Sequence, residues 1–224
     1  MTLLIKSATL IDKSQPALHL KKRDILIDKG NIRTIGRGLS PDGKTRVIEA
    51  KNLHVSPGWF DTSVSFGEPG YEERETIANG LEVAAASGFT GLVLNTNTNP
   101  TPDSSGDIVF LKEAAKGQGT ELFPLGTVSV GAKGEDLSEM FDMHNAGAVG
   151  FSDYKKPLQN PNLLKLALLY TQNFGGLVHS FPMDAELAGH GQVHEGEVSV
   201  RLGLKGIPVL AEELRVARDL SLLQ

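Results

Sequence analysis

The sequence predicts an α/β protein in which a small N-terminal β-module is followed by about five βα units laid on a parallel sheet. Two observations predict it. From Val55 onward, apolar runs of strand length alternate with helical patterns, and near-continuous apolar strands separated by helices mark a parallel sheet covered by helices. Before Val55 the texture is one of short strands broken by turn residues. Periodicity leaves open whether the parallel sheet is doubly wound or closed into a barrel. No glycine-rich phosphate loop follows any of the strands, since Gly117-Gln118-Gly119 comes after a helix and reads as a cap and turn, so nucleotide binding gains little support.

The N-terminal module, residues 1–55, is read as strands at Leu3–Leu10, Asp24–Asp28, Ile32–Ile35 and Arg46–Ile48, with turns at Asp28-Lys29-Gly30 and Pro41-Asp42-Gly43. Residues 56–224 carry the βα units. Their strand and helix pairs are Val55–Val64 with Glu73–Ser87, Thr90–Thr96 with Gly106–Lys116, and Leu122–Val128 with Leu137–Asn145. Two more follow, Ala148–Ser152 with Asn162–Phe174 and Gly176–Ser180 with Ala211–Leu223. A complete eight-unit barrel needs about 250 residues, so any barrel here is incomplete, with its inner face in want of a covering subunit or of further chain.

Composition narrows the function classes. The 224 residues carry 22 Lys and Arg against 27 Asp and Glu, a formal charge of −5 without long runs of one sign, which makes nucleic acid and anionic membrane poor partners. There is no cysteine, so a metal site would have to come from His, Asp, Glu or a modified Lys. Lys6 interrupts the N-terminus before a signal-like apolar stretch develops, and no later segment approaches about 20 apolar residues. The expectation is a cytoplasmic protein.

In parallel α/β folds of this type the reactive groups stand at the C-terminal strand ends. The first such place is Val55-Ser-Pro-Gly-Trp-Phe-Asp-Thr-Ser-Val-Ser-Phe-Gly-Glu-Pro-Gly70. It resembles the opening of barrel strand one in the cyclic amidohydrolases, and within them the dihydroorotases, where the pattern is Pro-Gly-hydrophobic-Asp-x-His-Val-His-x-Arg-Glu-Pro-Gly. The resemblance decides for a (β/α) TIM-type barrel and for an N-terminal module of β-sandwich type. Two His at alternate positions share one side of a strand and can meet one metal ion. Here Ser63 and Ser65 occupy those positions, and Gly67 occupies that of the Arg expected to bind a substrate carboxylate, while Pro57, Gly58, Asp61, Glu68, Pro69 and Gly70 match.

Further matches run along the chain. Asn95-Thr-Asn-Thr-Asn-Pro100 is similar to the family's Met-Pro-Asn-Thr-x-Pro and carries Asn97 onto a substrate-contacting position. Gly147–Tyr154 resembles a stretch whose second Asp bridges the metals; Tyr154 stands there, followed by Lys155, and Asp153 matches a neighbour without the bridging role. Gly176-Leu-Val-His179-Ser matches a strand-five pattern, making His179 the one metal-ligand position retained. The run Glu186–Glu213 is the longest dihydroorotase-like stretch. His190 and His194 have the i, i+4 spacing of a helical metal pair, but Gly189, Gly191 and Gly196 argue against helix there. His19, His54 and His144 are read as solvated, and Glu72, Glu73, Arg74 and Glu75 as a charged helix start.

What the resemblance implies is a dihydroorotase-like protein of de novo pyrimidine biosynthesis. With Ser63, Ser65, Gly67 and Tyr154 at functional positions, the expectation is a catalytically inactive, structural or regulatory member with no metal or other cofactor. Aspartate transcarbamoylase is the partner implied by analogy, and a homo-oligomer is expected. Two alternatives stand beside it: an active cyclic amidohydrolase interconverting dihydroorotate and carbamoyl aspartate at an atypical zinc site that uses His179, and a homo-oligomeric scaffold resembling the non-catalytic dihydropyrimidinase relatives.

Overall fold

The computed structural model describes residues 2–223. The chain divides into two compact units, Met1–Gly58 and Trp59–Gln224.

The first unit is one sheet organised around β1 (Thr2–Leu10). Strand β2 (Lys22–Asp28) pairs antiparallel to it, β3 (Asn31–Gly36) pairs antiparallel to β2, and β4 (Arg46–Ile48) and β5 (His54–Val55) run parallel to β1. Asp28 faces Asn31 across a two-residue loop in which Lys29 and Gly30 both have positive φ (49° and 82°), the backbone that a tight hairpin of matching twist requires. Leu4, Ala8, Leu10 and Ile25 are buried. A bulge between Ile5 and Ala8 shifts the β1–β2 register by one residue; before it Leu4 lies opposite Leu26 and Ile5 opposite Ile25, and after it Ala8 lies opposite Arg23. The expected sandwich has two layers; here the described residues form a single hydrogen-bonded sheet, because β4 and β5 join the free edge of β1 instead of starting a second ladder.

The second unit opens with β6 (Trp59–Val64), separated from β5 by Ser56-Pro57-Gly58, so the long strand expected over Val55–Val64 is two strands. Pro57 has no N–H to give a ladder. Helix α1 (Ile77–Ala86), β7 (Phe89–Leu94), α2 (Ser105–Ala114) and β8 (Glu121–Pro124) follow, with β6, β7 and β8 parallel and in chain order. After a short 3₁₀ turn at Val130–Ala132 and α3 (Met140–Ala146), the ladder continues by single parallel bridges, Gly126 to Phe151 and Phe151 to Val178. Backbone N–H groups of Phe151 and His179 donate to Leu177 and Phe151 carbonyls at 2.8 Å each. Helix α4 (Pro161–Gln172) lies between these segments, with Asn160 capping its first turn and Pro161 at its first position. The strand order therefore follows the chain order through all five expected strand positions, without the reversal that defines a doubly wound sheet.

Two apolar clusters join helices to this sheet. Phe66, Ile77, Leu81, Leu92, Leu94, Leu111 and Leu122 bind α1 and α2 to the first three strands. Val128, Met140, Met143, Phe151, Leu163 and Leu164 bind α3 and α4 to the next two. Each fully buried Leu or Phe contributes about 1.5–3 kcal/mol relative to exposure. Val178 packs against the second cluster, so Leu177 and His179, one residue to either side, lie on the face opposite the helices. On that inner face Phe60 and Leu177 are 54% and 58% exposed.

Residues 181–209 hold small elements: α5 (Ala185–Ala188), the parallel pair β9 (Val193–His194) and β10 (Gly206–Ile207), and α6 (Glu197–Leu202) before α7 (Leu210–Leu222). Helix α7 is held by two arginines. Arg215 pairs with Asp184 at 2.9 Å and reaches Gln159, while Arg218 pairs with Asp219 at 2.6 Å and donates to the Leu158 carbonyl at 2.8 Å. Among the described residues no helix is long and apolar enough to cross a membrane.

Candidate functional site

The C-terminal ends of β6, β7 and the 148–152 segment bring three of the expected positions together. Asn95, immediately after β7, is buried and donates through its amide nitrogen to the hydroxyls of Ser63 (3.1 Å) and Ser65 (3.2 Å). The Ser65 hydroxyl donates in turn to the Tyr154 phenolic oxygen at 3.1 Å. Both N–H groups of one amide are thus spent on the two serines. Asn95 is placed by its own backbone, whose N–H donates to the Val64 carbonyl at 2.9 Å and so extends the β6–β7 pairing by one rung. No sequence signal marks this bridging role, because Asn95 reaches both serines only through the folded strand end.

Tyr154 owes its direction to an unusual backbone, φ +55°, uncommon for a bulky residue. Its N–H donates to the Ser152 hydroxyl at 3.0 Å, and the Ser152 carbonyl accepts from Thr96 at 2.8 Å. The neighbouring Asp153 points elsewhere. It is buried, accepts from the Val128 and Ser129 N–H groups at 2.8 and 3.1 Å, and accepts from the Ser129 hydroxyl. Burial pushes its carboxyl above the usual value, against the opposing pull of those hydrogen bonds and of Lys156. It anchors the loop after β8.

Gly67 is closed to any side chain. A Cβ built on it would lie 1.7 Å from the Tyr71 carbonyl oxygen, because Tyr71 N–H donates back to the Gly67 carbonyl and Gly67 N–H to that of Glu75, both at 2.9 Å. The same loop corrects the reading of residues 72–75. Helix α1 begins later, after Thr76, whose hydroxyl accepts from Asn79 at 3.2 Å. Glu72 and Glu75 instead hold turn groups: Glu72 accepts from Gly70 N–H and Glu75 from the Asn79 amide, each at 2.8 Å. Glu68 supplies an acceptor to Ile77 N–H at 2.8 Å.

Asn97 and His179 stand outside the serine–tyrosine network. The Asn97 side-chain oxygen is buried without a hydrogen-bond partner among the described residues, as is the Thr127 hydroxyl. The His179 ring is half-buried on the inner face beside Gly150, where a Cβ would come within 3.5 Å of its Nε2. His190 lies in a turn and His194 in β9, so no helix aligns them. His54 is exposed, His19 accepts from Asp12 N–H at 3.2 Å, and the half-buried His144 ring stacks 5.0 Å from Phe174, which corrects its reading as a solvated residue.

Zinc takes thiolate, imidazole or carboxylate ligands. The cluster offers two hydroxyls and a phenol, with amide N–H groups directed at both serine oxygens, so this donor set does not fit zinc. Among the described residues no three His, Asp or Glu converge in a way that could hold a metal ion.

A parallel α/β unit with polar groups gathered at its C-terminal strand ends defines a class of proteins, and comparison specifies the family. A family model described as dihydro-orotase-like matches residues 53–224. A dihydroorotase of Pelotomaculum thermopropionicum is 41% identical over 222 residues, which is 99% of this chain and 51% of that protein. One of Geobacter sulfurreducens is 40% identical over 223 residues, 99% of this chain and 52% of that protein. The chain belongs to the dihydroorotase-like family of cyclic amidohydrolases, and it spans about half the length of the curated relatives it matches. Among solved structures, an L-hydantoinase (dihydropyrimidinase) of Arthrobacter aurescens superposes with a TM-score of 0.74 at 19% identity, over 98% of this chain and 50% of that one. A D-hydantoinase of a Thermus species gives 0.70 at 21%, over 99% and 49%. These two likenesses concern the fold.

Proposed function

We propose that this chain serves in pyrimidine biosynthesis as a dihydroorotase-like protein whose strand-one site works without metal and without turnover, in a structural or regulatory role. The observation that carries this reading is the Ser63–Asn95–Ser65–Tyr154 network at the place where the family resemblance puts metal ligands. The closed backbone at Gly67 adds to it, since the clamp for a substrate carboxylate has no room there.

A second reading is favoured by the relatives. Proteins about 40% identical over the whole chain bear the name dihydroorotase, and this weighs more heavily toward an active cyclic amidohydrolase interconverting dihydroorotate and carbamoyl aspartate than toward an inactive one. In that reading the ligands join His179 from outside this half-length span. The partnerless Asn97 oxygen, buried near the end of strand two, suits a substrate N–H donor. Zinc content and dihydroorotate hydrolysis, measured on one sample, separate the two readings.

The finer architecture belongs to the same proposal. Strands in chain order, with Phe60 and Leu177 bare on the inner face, fit the first five units of a (β/α) barrel completed by further βα units. The N-terminal sheet fits one layer of a sandwich. A cytoplasmic setting, a homo-oligomer and aspartate transcarbamoylase as partner complete the first reading, and co-purification with a transcarbamoylase tests the last. The scaffold alternative predicts self-association without it.

A further inference from the structure

The N-terminal unit has a cavity that the dihydroorotase-like chemistry does not use. Its volume is about 390 Å³, and Lys6, Lys22, Arg23 and Arg37 line it. In a chain with more acidic than basic residues, four cations around one cavity repel one another unless something negative lies among them. Two acids share the wall, Asp24 and Glu49. Asp24 is committed elsewhere: its carboxylate accepts from Ser7 N–H at 2.8 Å and from Leu39 N–H at 2.9 Å, and these backbone bonds, Ser7 first, hold it below the usual carboxylate range. Among the described residues none of the four cations makes an ion pair. Asp24, kept ionised in part by Lys6, and Glu49 together set two negative charges against the four, which leaves the cavity wall net positive.

The wall is also shaped. Ser7 has φ +53° in the bulge of β1, and Gly38 has φ +66° in the turn after β3. Both are pinned through Asp24, one directly and one through the next residue, so a single buried carboxylate sets the two backbone corners beside Lys6 and Arg37. Bulges commonly re-aim side chains in this way.

We infer that this cavity binds a compact polyanion, of the oligophosphate class, through Lys6, Lys22, Arg23 and Arg37. Arg presents a planar donor fork to phosphate oxygens and Lys a mobile point charge, and the cavity has room for more than a single phosphate. The site lies before residue 53, where the dihydroorotase-like match begins, and it stands or falls separately from the strand-one site.

The test is calorimetric titration of the whole chain with inorganic pyrophosphate at low salt, repeated on variants. Binding is expected, weakened by roughly tenfold or more in Arg37→Gln and in Lys22→Gln, unchanged in Lys165→Gln on the exposed face of α4, and reduced by added salt. Glu49→Gln should tighten binding severalfold, an effect that misfolding cannot imitate. Absence of binding, equal loss in the Lys165 variant, or weaker binding in the Glu49 variant would overturn the assignment.

Discussion

The Ser65 hydroxyl and the Tyr154 phenol, 89 positions apart in the chain, meet at 3.1 Å where β6 ends beside the segment after Ser152. The contact joins two positions at which the family resemblance places metal ligands, and it does so with neutral groups.

That contact should be measurable as a coupling. Tyr154→Phe and Ser65→Ala are each expected to cost under about 1 kcal/mol, since the serine is exposed and water can replace the partner. In a double-mutant cycle by chemical denaturation the two losses should be less than additive. Full additivity would mean that the hydroxyls do not touch in solution.

Asp153 is expected to matter more. Asp153→Ala leaves two backbone N–H groups and the Ser129 hydroxyl without their buried acceptor, a loss of about 2–4 kcal/mol. Asp153→Asn retains one oxygen and should cost less. The urea midpoints of the two variants order them.

The pH dependence has two opposing parts. Asp24 has a lowered folded-state pKa, so its contribution is complete above the unfolded value of about 4 and is lost as pH falls through the folded one. Asp153 has a raised pKa, so its ionisation penalty is absent below about pH 4 and sets in as pH rises through the folded value. Asp24→Asn should therefore flatten the acid limb of the stability profile, while Asp153→Asn should remove a decline above it. Thermal melts from pH 3 to pH 7 read both.

Restoring the family's Arg at position 67 should fail structurally. Even Gly67→Ala forces a Cβ against the Tyr71 carbonyl, and the expected cost is about 1–3 kcal/mol. An unchanged melting temperature would show that the loop is open in solution. In the core, Phe151→Ala should cost about 3–5 kcal/mol, because Phe151 is fully buried between the helices and the sheet.

Elements with a clear period were legible. Strands β1 to β4, β7, and helices α2, α4 and α7 lie within a few residues of their expected bounds because turn residues bracket the strands and helical spacing runs on in the helices. The start of α1 was misplaced because Glu73 to Glu75 have ordinary helix-forming side chains, whereas the chain spends them on a turn closed by Gly67. The elements between residues 181 and 209 escaped because the two strands are only two residues long and the two helices make fewer than two turns, so no helical period can show. At the site, the resemblance singles out Ser63, Ser65 and Tyr154, and the fold brings the three into one hydrogen-bonded network. It does not single out Asn95, since only the folded strand end reveals that one amide reaches both serines.

The most direct test of the proposed metal-free reading is elemental analysis of protein purified without chelator, with dihydroorotate hydrolysis assayed on the same sample. The account predicts less than about a tenth of an equivalent of zinc and no turnover. Near-stoichiometric zinc with turnover, both lost in His179→Ala, would contradict it and establish the active reading that the relatives favour.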